Sequence, residues 1–90
     1  MCPFIGGSAP AMARQVVEGY TLVNAVSLKR LTDQELDLLV FELEKKLREV
    51  RAEQPDLTDT QALQYRNRRL SRLDGARRVI RSTIQERRRR

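Results

Sequence analysis

The chain has 90 residues and a net charge of +6, a size that allows one small domain. It contains no histidine and a single cysteine, Cys2, which excludes an intrachain disulfide and a zinc site built from Cys and His ligands. No segment has the apolar length of a membrane span, and the N-terminus lacks the basic region of a signal peptide. We therefore expect a cytoplasmic protein that uses no metal or cofactor and does not bind a membrane.

Residues 1–26 are predicted to form a flexible leader or arm. Two prolines, two glycines and a serine lie between Pro3 and Pro10, a composition typical of loops. The stretch from residue 15 to residue 26 mixes β-branched side chains with Gly19. It is compatible either with a short strand or with an irregular arm that lies on the helices.

A first helix is predicted over about residues 33–54. Thr32 and Glu35 have the spacing of a capping box, and Leu31 and Leu36 have the spacing of a hydrophobic staple. Pro55 cannot continue a helix. A second helix is predicted over about residues 59–87, where Thr58 and Gln61 offer another capping box and Gly75 lies in the interior.

Apolar residues recur at steps of three and four in both helices. Residues 27–90 are therefore expected to form an all-α, coiled-coil-like antiparallel two-helix hairpin. Leu38 and Phe41 leave open whether the core face is broader or a second contact surface exists. Such a hairpin has a small core, so a partner surface should complete it, either through self-association or through binding to something larger. The candidate interaction seam is Leu36, Leu39, Val40, Phe41, Leu43, Leu47, Leu70, Leu73, Ile80 and Ile84.

Arginine dominates the second helix. The last 26 residues carry a charge of +9, whereas residues 33–56 carry −4. Such asymmetry indicates a polyanion partner, and the planar guanidinium group matches phosphate geometry. The alternative is a solvated helix face whose cations oppose the helix dipole; at seam-like positions, arginines are expected to extend along the partner helix. The candidate nucleic-acid-binding residues are Arg66, Arg68, Arg69, Arg72, Arg77, Arg78, Arg81, Arg87 and Arg88.

The segment Leu28–Arg51, LKRLTDQELDLLVFELEKKLREVR, resembles the first helix of the family of large-ribosomal-subunit protein twenty-nine. Its Thr-Asp-Gln-Glu-Leu start and its closing LREVR are similar to the motifs of that family. Ala76 with Arg77, and IQER at residues 84–87, resemble the family's basic second helix. The resemblance implies a two-helix, non-catalytic protein whose partners are ribosomal RNA and neighbouring ribosomal proteins.

The expected function is structural RNA binding through the arginine-rich helix. The main alternative is a protein–protein module that self-associates or docks on a larger assembly through the seam. The sequence has no glycine-rich phosphate loop, no metal-ligand spacing and no nucleophile–base pair, so we do not expect an enzyme.

Overall fold

The structure, a computed structural model, describes residues 4–21 and 23–89, so Cys2 and Arg90 lie outside the described residues. It contains the helices α1 (Ala9–Val17), α2 (Ala25–Leu28), α3 (Asp33–Ala52) and α4 (Thr60–Arg88), and the described residues form no strand. The all-α prediction is confirmed. The two long helices, α3 and α4, pack against each other, and side chains late in α4 contact the start of α3, as an antiparallel hairpin requires.

The start of α3 follows the predicted capping geometry. The Thr32 hydroxyl accepts the Glu35 backbone N–H at 3.1 Å, and the Glu35 carboxylate accepts the Thr32 N–H at 2.8 Å. Leu31 and Leu36, the expected staple, are both buried in the core. The capping box is confirmed, and α3 ends at Ala52, a few residues before the proline.

The predicted capping box at the start of α4 is wrong. Asp59 is the N-cap, and its carboxylate accepts the Ala62 N–H at 3.1 Å. Thr58 instead donates its N–H and its hydroxyl to the Asp56 carboxylate at 2.9 and 2.8 Å, which holds the pKa of Asp56 below its ordinary value. Aspartate is at least as good an N-cap as threonine, and the turn around Asp56 engages the threonine first.

Residues 9–17 are not a flexible leader, because they form α1. Ser8 is the N-cap and accepts the Ala11 N–H at 3.2 Å, and Pro10 lies in the first turn, where a missing N–H costs nothing. The strand alternative for residues 15–26 is also wrong: the described part of that range holds the end of α1 and the short helix α2. The helical spacing of the buried residues explains the correction; they are Ala9, Met12, Ala13, Val16 and Val17.

The core lies between α1 and the α3–α4 hairpin. Its seam members Leu36, Leu39, Leu43, Leu47, Leu73 and Ile80 are fully or almost fully buried, and Val40, Leu70 and Ile84 pack against them. α1 packs on both long helices and adds Met12 and Val16 to the same cluster. The expectation that a partner must complete the hairpin therefore needs correction, because the chain's own N-terminal segment covers this apolar face.

Candidate interaction surfaces

Three arginines of α4 hold the C-terminal ends of the other helices. Arg72 donates to the carbonyl of Val17, the last residue of α1, at 3.3 Å. Arg87 donates to the carbonyl of Leu28, the last residue of α2, at 3.1 Å. Arg66 donates to two carbonyls in the last turn of α3 at 3.1 and 3.2 Å. The final carbonyls of a helix lack intrahelical donors and carry the negative end of its dipole, so a guanidinium group satisfies both needs.

Arg69 and its neighbour Tyr65 connect α4 to acidic groups near the ends of α3 and α1. Arg69 makes a two-point contact with Glu53 at 2.6 and 2.8 Å, and this hydrogen bonding lowers the pKa of Glu53. Its guanidinium carbon lies 4.3 Å from the centre of the Tyr65 ring. The Tyr65 hydroxyl donates to the Glu18 carboxylate at 2.9 Å, which raises the pKa of Tyr65.

Three more candidate arginines form ion pairs within the chain. Arg77 and Arg78 share the Asp74 carboxylate at 2.8 and 2.7 Å, and Arg81 contacts Glu44 at 2.7 Å. The Arg78 and Arg81 side chains are mostly solvent-exposed, so each of their pairs contributes at most about 1 kcal/mol and leaves its arginine able to exchange partners, whereas the Arg77–Asp74 pair is half-buried.

The arginines do not form one continuous basic face. Seven of the nine candidate nucleic-acid-binding residues contact an acceptor of this chain, while Arg68 and Arg88 are exposed and contact none among the described residues. The outward stripe of α4 carries Arg68, Arg78, Glu86 and Arg89 among uncharged residues. Its exposed uncharged polar residues are Gln64, Asn67, Ser71, Ser82 and Gln85.

One group of exposed cations lies where α2 meets the end of α4. We call this surface the basic end; it comprises Lys29, Arg30, Arg88 and Arg89, all of them exposed. The hydrogen bond from Arg87 to the Leu28 carbonyl joins the end of α4 to α2. The cations that follow Arg87 and those that follow Leu28 therefore lie on the same part of the molecule. Of these four residues, only Arg89 forms an ion pair within the described part of the chain, with the Glu86 carboxylate at 4.0 Å.

Two large apolar side chains of α3 face solvent. Leu38 is 55% exposed and Phe41 59% exposed, and we call this pair the α3 patch. It forms one wall of an apolar surface groove of about 430 Å³, whose other wall includes Phe4 and Pro10. Leu38 and Phe41 therefore do not broaden the core face, but form an apolar surface outside the core.

The seam itself is not available to a partner. The docking alternative proposed contacts through Leu36, Leu39, Val40, Leu43 and Phe41. The three leucines are fully buried and Val40 is half-buried, so only Phe41 of these five is exposed. The sequence signal for the α3 patch was that Leu38 and Phe41 depart from the main apolar periodicity of α3, although Phe41 was also counted in the candidate seam. Helical periodicity alone could not decide between core and surface.

Comparison with known proteins finds no match: no protein-family model, no curated protein and no solved structure matches the chain. None of the described helices is long and apolar enough to cross a membrane. In the same part of the chain, no three Cys, Asp or Glu residues are grouped in a way that could hold a metal ion. The α3 patch and the basic end are two exposed surfaces of the described residues that remain open to a partner.

Proposed function

We propose that the protein is a helical protein–protein interaction module that docks a partner on the α3 patch. The observation that carries this proposal is the exposure of Leu38 and Phe41 beside an apolar groove, on a helix whose other large apolar residues are in the core. Aromatic and aliphatic anchors of this kind supply most of the binding energy at protein interfaces. A groove beside a helix is also a common seat for a partner helix.

The expected contribution of Phe41 is large enough to measure. Full burial of a phenylalanine side chain is worth about 1.5–3 kcal/mol, and roughly half of this one is still exposed to water. Removing an interface anchor commonly costs about 2 kcal/mol, which corresponds to a roughly thirtyfold weaker complex. Replacement of Phe41 by Asp should do more, because a charge would be buried in an apolar contact.

Photo-crosslinking in cells tests the docking surface. A photoreactive amino acid at Leu38 should give one dominant crosslinked protein, and Phe41→Asp introduced in the same chain should remove it. The matched control places the photoreactive group at Gln64, which is also exposed, on the outward stripe of α4. Equal crosslinking from both positions, or a product that survives Phe41→Asp with an unchanged circular dichroism spectrum, would contradict the proposal.

RNA binding at the basic end is the second candidate. It is supported by the exposed cations Lys29, Arg30 and Arg88, which have no acidic partner in the described part of the chain, and by the net charge of +6. The resemblance to the ribosomal family points in the same direction. This version places the phosphate contacts at the basic end and at Arg68, because most other arginines of α4 are used within the fold.

Salt dependence and charge reversal test this candidate. About five phosphate contacts predict an affinity that falls with salt with a log–log slope of roughly −3.5 to −4.5. Arg30→Glu with Arg88→Glu should abolish binding to a structured RNA and leave the helix content unchanged. Lys45→Glu with Arg48→Glu is the matched control, since it makes the same charge change at exposed positions of α3. Equal losses from the two double variants would show that only net charge matters and would reject a defined site.

A further inference from the structure

Two carboxylates beside the α3 patch differ from the other acidic groups of the protein. The sequence has twelve Asp and Glu residues, all within the described part of the chain. Ten of them bind an arginine or lysine, a hydroxyl group or a capping backbone N–H. Asp37 and Glu42 have no such contact there, although the chain has an excess of cations.

These two carboxylates lie on opposite flanks of the patch. Asp37 precedes Phe41 by four residues, and Glu42 follows Leu38 by four residues, so each acidic group is about one helical turn from an apolar anchor. Glu42 also lines the apolar groove, whereas Asp37 is exposed on the flank that faces α4, where it lines a separate surface cleft with Arg81 and Arg88 and forms no ion pair with either. The patch is therefore an apolar centre with a carboxylate on each side that forms no ion pair within the described residues.

This charge pattern selects among the possible occupants. A second copy of the chain, docked through the same face, would bring four carboxylates together with only the two Lys45 side chains to oppose them, and an excess of like charge at an interface is costly. An anionic lipid surface or a nucleic acid would be repelled by the same two groups. A partner with basic residues on both sides of its apolar anchors would neutralise them and gain rim contacts.

We propose that the α3 patch binds a basic amphipathic helix of a partner protein, with lysine or arginine placed against Asp37 and Glu42. This inference rests on the proposed docking function and names the chemistry of the partner. Lys45 continues the same exposed face one turn beyond Phe41. The basic residues of the partner are therefore confined to the stretch over the two carboxylates, and its charge is neutral or acidic further along α3.

A displayed peptide library tests the inference. The library fixes leucine or phenylalanine at helically spaced anchor positions and randomises the flanking positions, and selection uses the intact protein. Selection should enrich lysine and arginine at the flanks. The affinity of an enriched peptide should fall about five- to tenfold in Asp37→Asn with Glu42→Gln, as expected for two partly exposed ion pairs. It should be lost in Phe41→Asp.

The possible failures are distinguishable. Enriched peptides that need Phe41 but carry neutral or acidic flanks, or that bind the amide double variant equally well, would overturn the basic-helix assignment and leave the docking surface in place. If no enriched peptide depends on Phe41, both the inference and the proposed function fail. A reversal variant, Asp37→Lys with Glu42→Lys, should select acidic flanks, and unchanged selection would also overturn the inference. Circular dichroism of each variant checks that α3 stays folded.

Discussion

Arg87 offers a direct test of the cap contacts made by α4. Its guanidinium group donates to the carbonyl of Leu31 at 2.8 Å, to the carbonyl of Leu28 at 3.1 Å and to the Asp33 carboxylate at 2.9 Å. Each carbonyl bond is worth about 1 kcal/mol. The Asp33 side chain is 80% exposed, so that ion pair contributes roughly 0.5 kcal/mol. Arg87→Met keeps an apolar stem and should therefore lower the free energy of unfolding by about 2.5 kcal/mol.

Urea denaturation followed by circular dichroism measures this loss. For a protein of this size the loss corresponds to a midpoint roughly 1–2 M urea lower. Arg88→Met is the matched control, because the neighbouring arginine is exposed, contacts no described acceptor and should change stability by at most about 0.5 kcal/mol. Equal midpoints for the two variants would refute the assignment of Arg87 as a structural cap.

Three further outcomes can be checked on the purified protein. Gly75→Ala should raise the free energy of unfolding by roughly 1 kcal/mol in urea melts, because the added methyl group meets open space on a helix interior; a loss of stability would contradict this. In a Tyr20→Phe background, the ultraviolet titration midpoint of Tyr65 should lie above its ordinary value and move down in Glu18→Gln, since the hydrogen bond to that carboxylate raises the pKa. The hydrogen bond with Arg69 lowers the pKa of Glu53 in the folded state. The ionised carboxylate therefore stabilises the fold at pH values above the ordinary glutamate pKa, and this stabilisation is lost as the pH falls through the lower pKa of the folded state. Glu53→Gln should therefore flatten the fall in stability on acidification, and parallel pH curves for the variant and the wild type would reject that cause.

The parts of the fold that depend on neighbouring residues could be predicted from the sequence. The start of α3 follows from Thr32 and Glu35, whose hydrogen bonds span three residues. α1 was missed because Ser8 and Pro10 are common both in loops and at helix starts. What decides between the two is whether a surface exists to cover Met12 and Val16, and that surface is formed by distant residues of α3 and α4.

The roles of the arginines could not be predicted for a related reason. Periodicity places Arg66 beside the apolar stripe of α4, but it does not show which carbonyl groups lie opposite. Those acceptors belong to α3, and the acceptors of Arg72 and Arg87 belong to segments more than 50 residues earlier. A high density of arginine therefore has two physical explanations, internal capping and anion binding, and only the tertiary arrangement separates them.

The cap contacts of Arg72 and Arg87 also bear on how long the folded state lasts. They join groups 55–59 residues apart in the sequence, so a long stretch of chain must be closed before they can form. We expect them to be absent from the transition state for folding, which the nearer contacts between α3 and α4 can reach first. Their loss should then leave the refolding rate almost unchanged and accelerate unfolding. In that case these arginines set the lifetime of the native protein rather than the speed at which it is reached.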